Sequence, residues 1–172
     1  MLQNQRRKYF VLLTYPDAIL CFHFRGEEAV TRECLIQKQN DCVVIVIDCG
    51  VIERNLSFAL QVLSVTKNAV LCLNLCDEAE KNGIKIDCDE LSLNLGIPVV
   101  KTCATDKKGL DELKKAIYNV CSGKTKCFRV KRNFEGVDIL SEKNYKQNIE
   151  KLSQIGNKIS SDCVKYEKSE LN

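Results

Sequence analysis

The chain has 172 residues, of which 45% are hydrophobic and 28% charged, and a formal net charge of +3. That length and apolar content suit one domain with a buried core, or one domain plus a short appendage. The charge is too small to point to nucleic acid, no apolar run nears the roughly 18 residues of a membrane helix, and the start carries no secretory pattern, so the expected location is cytoplasmic.

In chain order, residues 8–13 read as a strand, followed by a turn at Thr14-Tyr15-Pro16-Asp17. Residues 18–24 are a candidate second strand, and residues 27–39 loosely fit a helix with Ala29, Val30, Leu35 and Ile36 on one side. The apolar run 42–47 is a strand ending at Asp48. A helix over 51–63 follows, with Ile52, Leu56, Ala59, Leu60 and Leu63 on one face. A second apolar strand, 69–73, leads into Asn74-Leu75-Cys76-Asp77. A short helix then closes at Gly83. Asp87 and Glu90 stand in capping-box relation before a helix that ends at Gly96. The strand 98–101 delivers Thr102-Cys103-Ala104. After Gly109 comes a helix with Leu110, Leu113, Ala116, Ile117 and Val120 facing inward and Asp111 and Glu112 in its first turn.

Strands alternating with helices imply parallel strands and right-handed crossovers. A boundary falls near residues 122–125, dividing the chain into 1–124 and 125–172. Beyond it Phe128-Arg129-Val130 is briefly extended. Ser141 caps a final helix whose stripe (Tyr145, Ile149, Leu152, Ile155, Ile159) needs a partner surface, in this chain or another. The tail from Ser160 is expected to fray.

Eleven cysteines are many, but the count is odd and no CxxC occurs. Cys42 and Cys72 lie inside apolar strands, where a reduced thiol packs as a small hydrophobe. Neither a disulfide framework nor a metal site is expected. The spacing of Cys72 and Cys76 does not require the two thiols to face one another. A thiol-based iron or redox protein is a third, weaker reading. His23, the single histidine, lies in an aromatic stretch and is read as packing rather than as a general base.

Two polar signatures stand at the C-terminal ends of strands, where open α/β sheets place ligands. Asn-x-x-Asp followed by Thr-x-Ala resembles the pair with which G domains read guanine. In that reading Asp77 accepts the ring N1–H and the exocyclic amino group in bidentate fashion. Asn74 braces the loop and meets the N7 edge, and the Ala104 N–H donates to O6. Thr102 and Cys103 complete the guanine-binding set. The bland alternative is a polar loop with Asp77 capping the short helix.

Phosphate chemistry is missing from these residues. A phosphate loop needs G-x-x-x-x-G-K-[ST] between a strand and a helix. The only Gly-Lys-Thr, at 123–125, has Tyr118 where the first glycine belongs, and it follows a helix. Gly123 is read as a helix terminator. The one D-x-x-G, Asp106 to Gly109, follows the base-reading signature and reads as a loop leading into a helix. No residue is put forward as catalytic, because without oriented amides, a lysine and a Mg²⁺-binding hydroxyl little positions a γ-phosphate for attack.

Residues 44–113 resemble the G domain of the FeoB family, ferrous iron transport protein B. The resemblance is carried by Glu53-Arg54-Asn55-Leu56, by Leu73-Asn74-Leu75-Cys76-Asp77-Glu78-Ala79, and by Gly83-Ile84-Lys85-Ile86-Asp87. It continues through Leu95-Gly96-Ile97-Pro98-Val99-Val100 and Thr102-Cys103-Ala104. Upstream, Glu27 to Val30 with Arg32 is similar to the family's segment after switch II. Downstream, Phe128 to Val130 with Ile149, Glu150 and Leu152 looks like the start of its helical regulatory domain. The family's D-L-P-G falls on Thr14-Tyr15-Pro16-Asp17 and keeps only the proline.

The resemblance implies an α/β fold: an incomplete G-domain-type, mostly parallel sheet with flanking helices, plus a C-terminal helical segment. It implies GTP or GDP as ligand, bound weakly where the phosphate loop is missing, with Mg²⁺ not expected to be held by this chain alone. The family is a GTPase, but this chain is expected to be inactive. The implied partner is a FeoB-type membrane transporter or a complementary chain, with a place at the inner face of the membrane. A non-catalytic docking module is the rival reading. In G domains the first strand lies between the strands matching 8–13 and 42–47, so direct pairing of those two is the favoured arrangement here.

Overall fold

The computed structural model describes residues 10–14, 41–138 and 144–167. The expected strand at 18–24, the helix at 27–39, Tyr15 to Asp17, His23 and Ser141 lie outside the described residues. Strand β1 (Phe10–Thr14) is followed by β2 (Cys42–Asp48) and a short 3-10 turn, Cys49–Val51. Then come α1 (Ile52–Val65), β3 (Ala69–Asn74), α2 (Cys76–Lys81), β4 (Ile84–Ile86) and α3 (Cys88–Leu95). They are followed by β5 (Val99–Lys101), α4 (Leu110–Cys121), α5 (Lys131–Phe134), α6 (Tyr145–Cys163) and β6 (Val164–Tyr166).

The main sheet has the order β1-β2-β3-β5, all parallel. β1 lies directly against β2, with Phe10 opposite Cys42 and Thr14 opposite Val46. Because helices cover both faces of β2 and β3, those strands are apolar throughout rather than alternating. Val43, Ile45 and Ile47 pack with Leu71 and Leu73 on the face under α1 and α3. Cys42 and Val70 face the other way, onto Val120, Leu113, Ala116 and Ile117 of α4.

The capping at α3 is half of the expected box. Asp87 accepts from the N–H groups of Asp89 (3.1 Å) and Glu90 (3.0 Å). Glu90 does not return the bond: its carboxylate takes the Asn94 amide at 2.9 Å, while the Asp87 N–H goes to the Cys163 carbonyl at 2.9 Å. Gly123, just past α4, adopts a left-handed φ of 72° and donates its N–H to the Val120 carbonyl at 3.0 Å. The Gly-Lys-Thr stretch is thus the end of a helix.

Of two expectations about the C-terminal part, the partner surface of the last helix is found in this chain, and the fraying tail needs correction. The stripe on the last helix is covered within the chain: α6 lies across α1, burying Leu152 and Ile159 in the main core. Gly156 sets the closeness of that crossing, since a β-carbon there would stand 3.1 Å from the Ser57 nitrogen. The tail does not fray from Ser160. The helix runs to Cys163, and β6 then pairs antiparallel with β4, Ile84 opposite Tyr166. Tyr166 donates its hydroxyl to Glu53 of α1 at 2.8 Å, fastening the last strand to the Glu-Arg-Asn-Leu block.

Candidate functional site

The site is a consequence of sheet register. Asp48 at the end of β2 pairs with Asn74 at the end of β3, and Leu73 pairs with Lys101 at the end of β5. The loops leaving these strands therefore emerge side by side. Leu75 takes a left-handed φ of 58°, a conformation uncommon for a residue with a side chain, and turns the chain directly into α2. Asn74 and Asp77 are thereby held on either side of a tight corner.

The five residues singled out from the sequence come together. Asn74 Oδ1 accepts from the Thr102 hydroxyl and from the Ala104 N–H, each at 3.2 Å. Thr102 is buried and knots the two loops. Its N–H donates to the Leu73 carbonyl at 2.7 Å, and its own carbonyl takes the Cys76 N–H at 3.4 Å. Cys72 Sγ lies 3.2 Å from the Thr102 hydroxyl oxygen, and burial pushes the Cys72 thiol pKa up.

The loop carrying Ala104 is closed on itself. Cys103 and Lys108 exchange both backbone hydrogen bonds, each 3.1 Å, and Lys107 has a left-handed φ of 58°. Gly109 follows at φ 74°, where a β-carbon would lie 2.1 Å from the Lys101 carbonyl oxygen. The Asp106-to-Gly109 stretch is the return arm of this loop and the start of α4.

Asp77 does not cap α2. Leu75 holds the cap position without a side-chain bond, and Asp77 is the second residue of the helix. Its Oδ1 is shut off from solvent without a hydrogen bond of normal geometry, although the side chain as a whole is 30% exposed. The Cys103 thiol beside the carboxylate is the main influence holding its pKa below the usual carboxylate value. Desolvation of the group pulls the other way, and the amides of Asp77 and Glu78, with Lys81, add smaller effects in the first direction.

Two features of the site carried no signal in the sequence reading. Asp77, Cys103 and Asp106 each bring one ligand atom within 4.8 Å of the others, and Asp106 also pairs with Lys108 at 3.3 Å. This makes an acidic mouth, and no metal is assigned to it. The second feature is Cys49, one residue past β2, and Cys76, two past β3. Their sulfur atoms are in contact and their Cα atoms are 5.5 Å apart. The signal was register rather than spacing: adjacent parallel strands that end opposite one another bring the next residues together. Cys72 and Cys76, the most closely spaced pair in the sequence, are not the ones that meet.

At the other end of β2, Cys42 packs in one cluster with Cys121 and Cys127. Burial, reinforced by those two neighbouring thiols, pushes Cys42 up to about 12, so it remains a thiol.

Chemically, the site offers the Asp77 carboxylate, with the Cys103 thiol beside it, and on the neighbouring loop a backbone N–H that Asn74 fastens. The first accepts paired N–H donors; the second donates to a carbonyl. The Ala104 N–H is engaged by Asn74 in this structure, so a ligand carbonyl must take over that donor.

A family model described as ferrous iron transport protein B matches residues 7–117. Among curated relatives, the chain is similar to the Fe(2+) transporter FeoB of Helicobacter pylori strain 26695, at 38% identity over 97 residues, covering 56% of this chain and 15% of that protein. It is also similar to the Fe(2+) transporter FeoB of Campylobacter jejuni, at 36% identity over 104 residues, covering 60% and 17% respectively. The chain thus spans under a fifth of the length of the curated relatives it matches. Its fold is similar to the cytosolic domain of the T. maritima FeoB iron transporter in a GDP form, with a TM-score of 0.68, 22% identity and coverage of 83% of this chain and 74% of that one. The FeoB G-domain of Methanococcus jannaschii matches at 38% identity with a TM-score of 0.55, covering 58% of this chain and 62% of that one. With well over half of its residues matched by the family model, the chain belongs to the ferrous iron transport protein B family.

Proposed function

We propose that this chain is a guanine-reading G domain of the ferrous iron transport system, with Asn74, Asp77, Thr102, Cys103 and Ala104 as its base-binding residues. The observation that carries the reading is that the Asp77 carboxylate, one oxygen of which lacks a hydrogen bond of normal geometry, stands at the corner that Asn74 ties to the Ala104 N–H. Guanine offers two adjacent N–H donors, which the two oxygens of a carboxylate accept in bidentate fashion, and its O6 suits the amide. Adenine places an amino group where O6 would be, and a second donor would then face the Ala104 N–H.

GTP or GDP is the ligand that fits the donors present, through its base. Within the 172 residues no glycine-rich loop carries a lysine and hydroxyl suited to phosphates or Mg²⁺. Base contacts alone supply about 1–3 kcal/mol per charge-assisted hydrogen bond, before the cost of association. The resulting Kd is roughly millimolar or weaker, and no hydrolysis is expected from these residues. In this reading residues 1–124 are the G domain, and residues 125–172 are a linker and the start of a helical regulatory segment.

Among the described residues no helix is long and apolar enough to cross a membrane. A place beside a FeoB-type membrane transporter, or a complementary chain that supplies phosphate contacts, at the inner face of a membrane is supported by the family relation alone. A docking role for the last helix loses its motive, because α1 already covers the stripe that prompted it.

Calorimetric titration of the chain with GDP and GTP tests the proposal. Weak binding of both, with heats too small to fit below about millimolar concentration, is the expected result. Micromolar affinity would overturn it.

A further inference from the structure

We propose that Cys49 and Cys76 form a reversible oxidation site, a disulfide that locks the Asn74–Asp77 loop against the end of β2. Three observations converge on it. The parallel register sets Asp48 opposite Asn74, so the residues just beyond must share space. The two Cα atoms are 5.5 Å apart, inside the range a disulfide spans without backbone movement. Both residues lie in the core, Cys49 fully buried and Cys76 7% exposed.

The location gives the bond an effect. Cys76 lies between Leu75, the left-handed corner, and Asp77, and its Sγ lies 3.2 Å from the Leu73 carbonyl oxygen. Joining it to Cys49 fixes the corner to a strand end that does not depend on the Thr102 knot. A bond across a sequence separation of 27 residues removes the freedom of that corner to lift away from the sheet. Any effect on base binding rests on the guanine reading above; the bond itself does not.

Burial selects the oxidant. With Cys49 fully buried and Cys76 7% exposed, hydrogen peroxide is an oxidant small enough to approach Cys76. The Cys76 sulfur, giving up its proton, attacks one peroxide oxygen, the O–O bond breaks, and a sulfenic acid and water result. The Cys49 sulfur then displaces hydroxide from the sulfenic acid, losing its proton, so that a disulfide and a second water form. In sum two thiols and one peroxide give one disulfide and two waters. A small dithiol reverses it by exchange, becoming a cyclic disulfide itself.

The test uses the full chain, reduced with dithiothreitol, freed of it, and then treated with hydrogen peroxide. Peptide mapping after alkylation in denaturant is expected to show Cys49 joined to Cys76, two hydrogens lighter, and restored by dithiothreitol. Amide exchange over residues 74–79 is expected to slow on the order of tenfold in the oxidised chain. The proposal is overturned if both cysteines remain alkylatable after peroxide, or if Cys42–Cys121 forms in their place. It is equally overturned if the bond forms and exchange over 74–79 is unchanged. Cys49→Ala should abolish the exchange response to peroxide. Should that variant fail to fold, the comparison of oxidised and reduced wild-type chain still decides. A GMP titration of both forms separates the two ideas: no GMP binding by either form, with the bond formed and exchange slowed, sinks the guanine reading and upholds the oxidation site.

Discussion

The side-chain oxygen of Asn74 takes the backbone N–H of Ala104 at 3.2 Å, so one atom fastens the loop after β3 to the loop after β5. Thr102 shares the same acceptor. The two loops are therefore fastened to one another by the chain's own groups, so a ligand bound between them would pay little to order them.

Asn74→Ala removes that acceptor and leaves the Ala104 N–H without its protein partner. A loss of about 1–2 kcal/mol is expected from urea unfolding, with faster amide exchange at Ala104. Asn74→Asp keeps an oxygen in place and should recover most of the stability. Unchanged exchange at Ala104 in the alanine variant would show that the bond does not hold the loop.

Cys103 sets the ionisation of Asp77. Its thiol is the largest cause of the lowered carboxyl pKa, so Cys103→Ala should move that pKa upward, toward the ordinary carboxylate value. A carboxylate with a depressed folded pKa adds stability above its unfolded pKa and loses it as pH falls through the folded one. The variant should therefore carry a smaller contribution of this kind, lost completely at a higher pH than in the wild type. Carbon-13 NMR titration of the Asp77 carboxyl measures the shift, and an identical midpoint in both proteins would refute the assignment.

Gly156 lets α6 lie close on α1. Gly156→Leu would drive a side chain into the Ser57 backbone, where even a β-carbon stands at 3.1 Å. Overpacking of this kind costs about 1–3 kcal/mol. Thermal unfolding should show a lowered midpoint, whereas Gly156→Ala should cost less. A leucine variant as stable as wild type would mean that the two helices are not in close contact.

Alkaline pH should destabilise the chain through its buried thiols. Burial raises Cys42 to about 12 and Cys163 to about 11, each from 9.0. Between pH 9 and those values the unfolded chain gives up protons that the folded chain keeps, so stability falls as pH rises. The contribution is complete below pH 9, and the limiting slope is about 1.4 kcal/mol per pH unit for each thiol. Urea midpoints at pH 8, 9 and 10 follow it. Cys42→Ala should flatten the decline, and an unaltered decline would refute the cause.

Much of the central sheet is legible in the sequence because β2 and β3 are buried on both faces and read as unbroken apolar runs. The α1 stripe is equally plain, since Ile52, Leu56, Ala59, Leu60 and Leu63 all reach the core. The pairing of β4 with β6 is not legible. Each strand has three residues, too few for a period, and the partners Ile84 and Tyr166 are far apart in the chain. The covering of α6 by α1 escapes notice because an amphipathic stripe shows that a partner exists but not where it is. In the site, Asn74, Asp77 and Thr102 to Ala104 declare themselves by residue type at strand ends. Asp106 does not, because only the Cys103–Lys108 closure carries its carboxylate back to Asp77.

Whether these loops read guanine is most directly tested by nitrogen-15 NMR titration of the chain with GMP and, separately, AMP. With GMP, the Ala104 amide and its neighbours should shift with a midpoint of roughly millimolar; AMP should leave them in place, and Asp77→Asn should erase the difference. Equal shifts with both nucleotides, or none at Ala104 with either, would contradict a guanine-reading site.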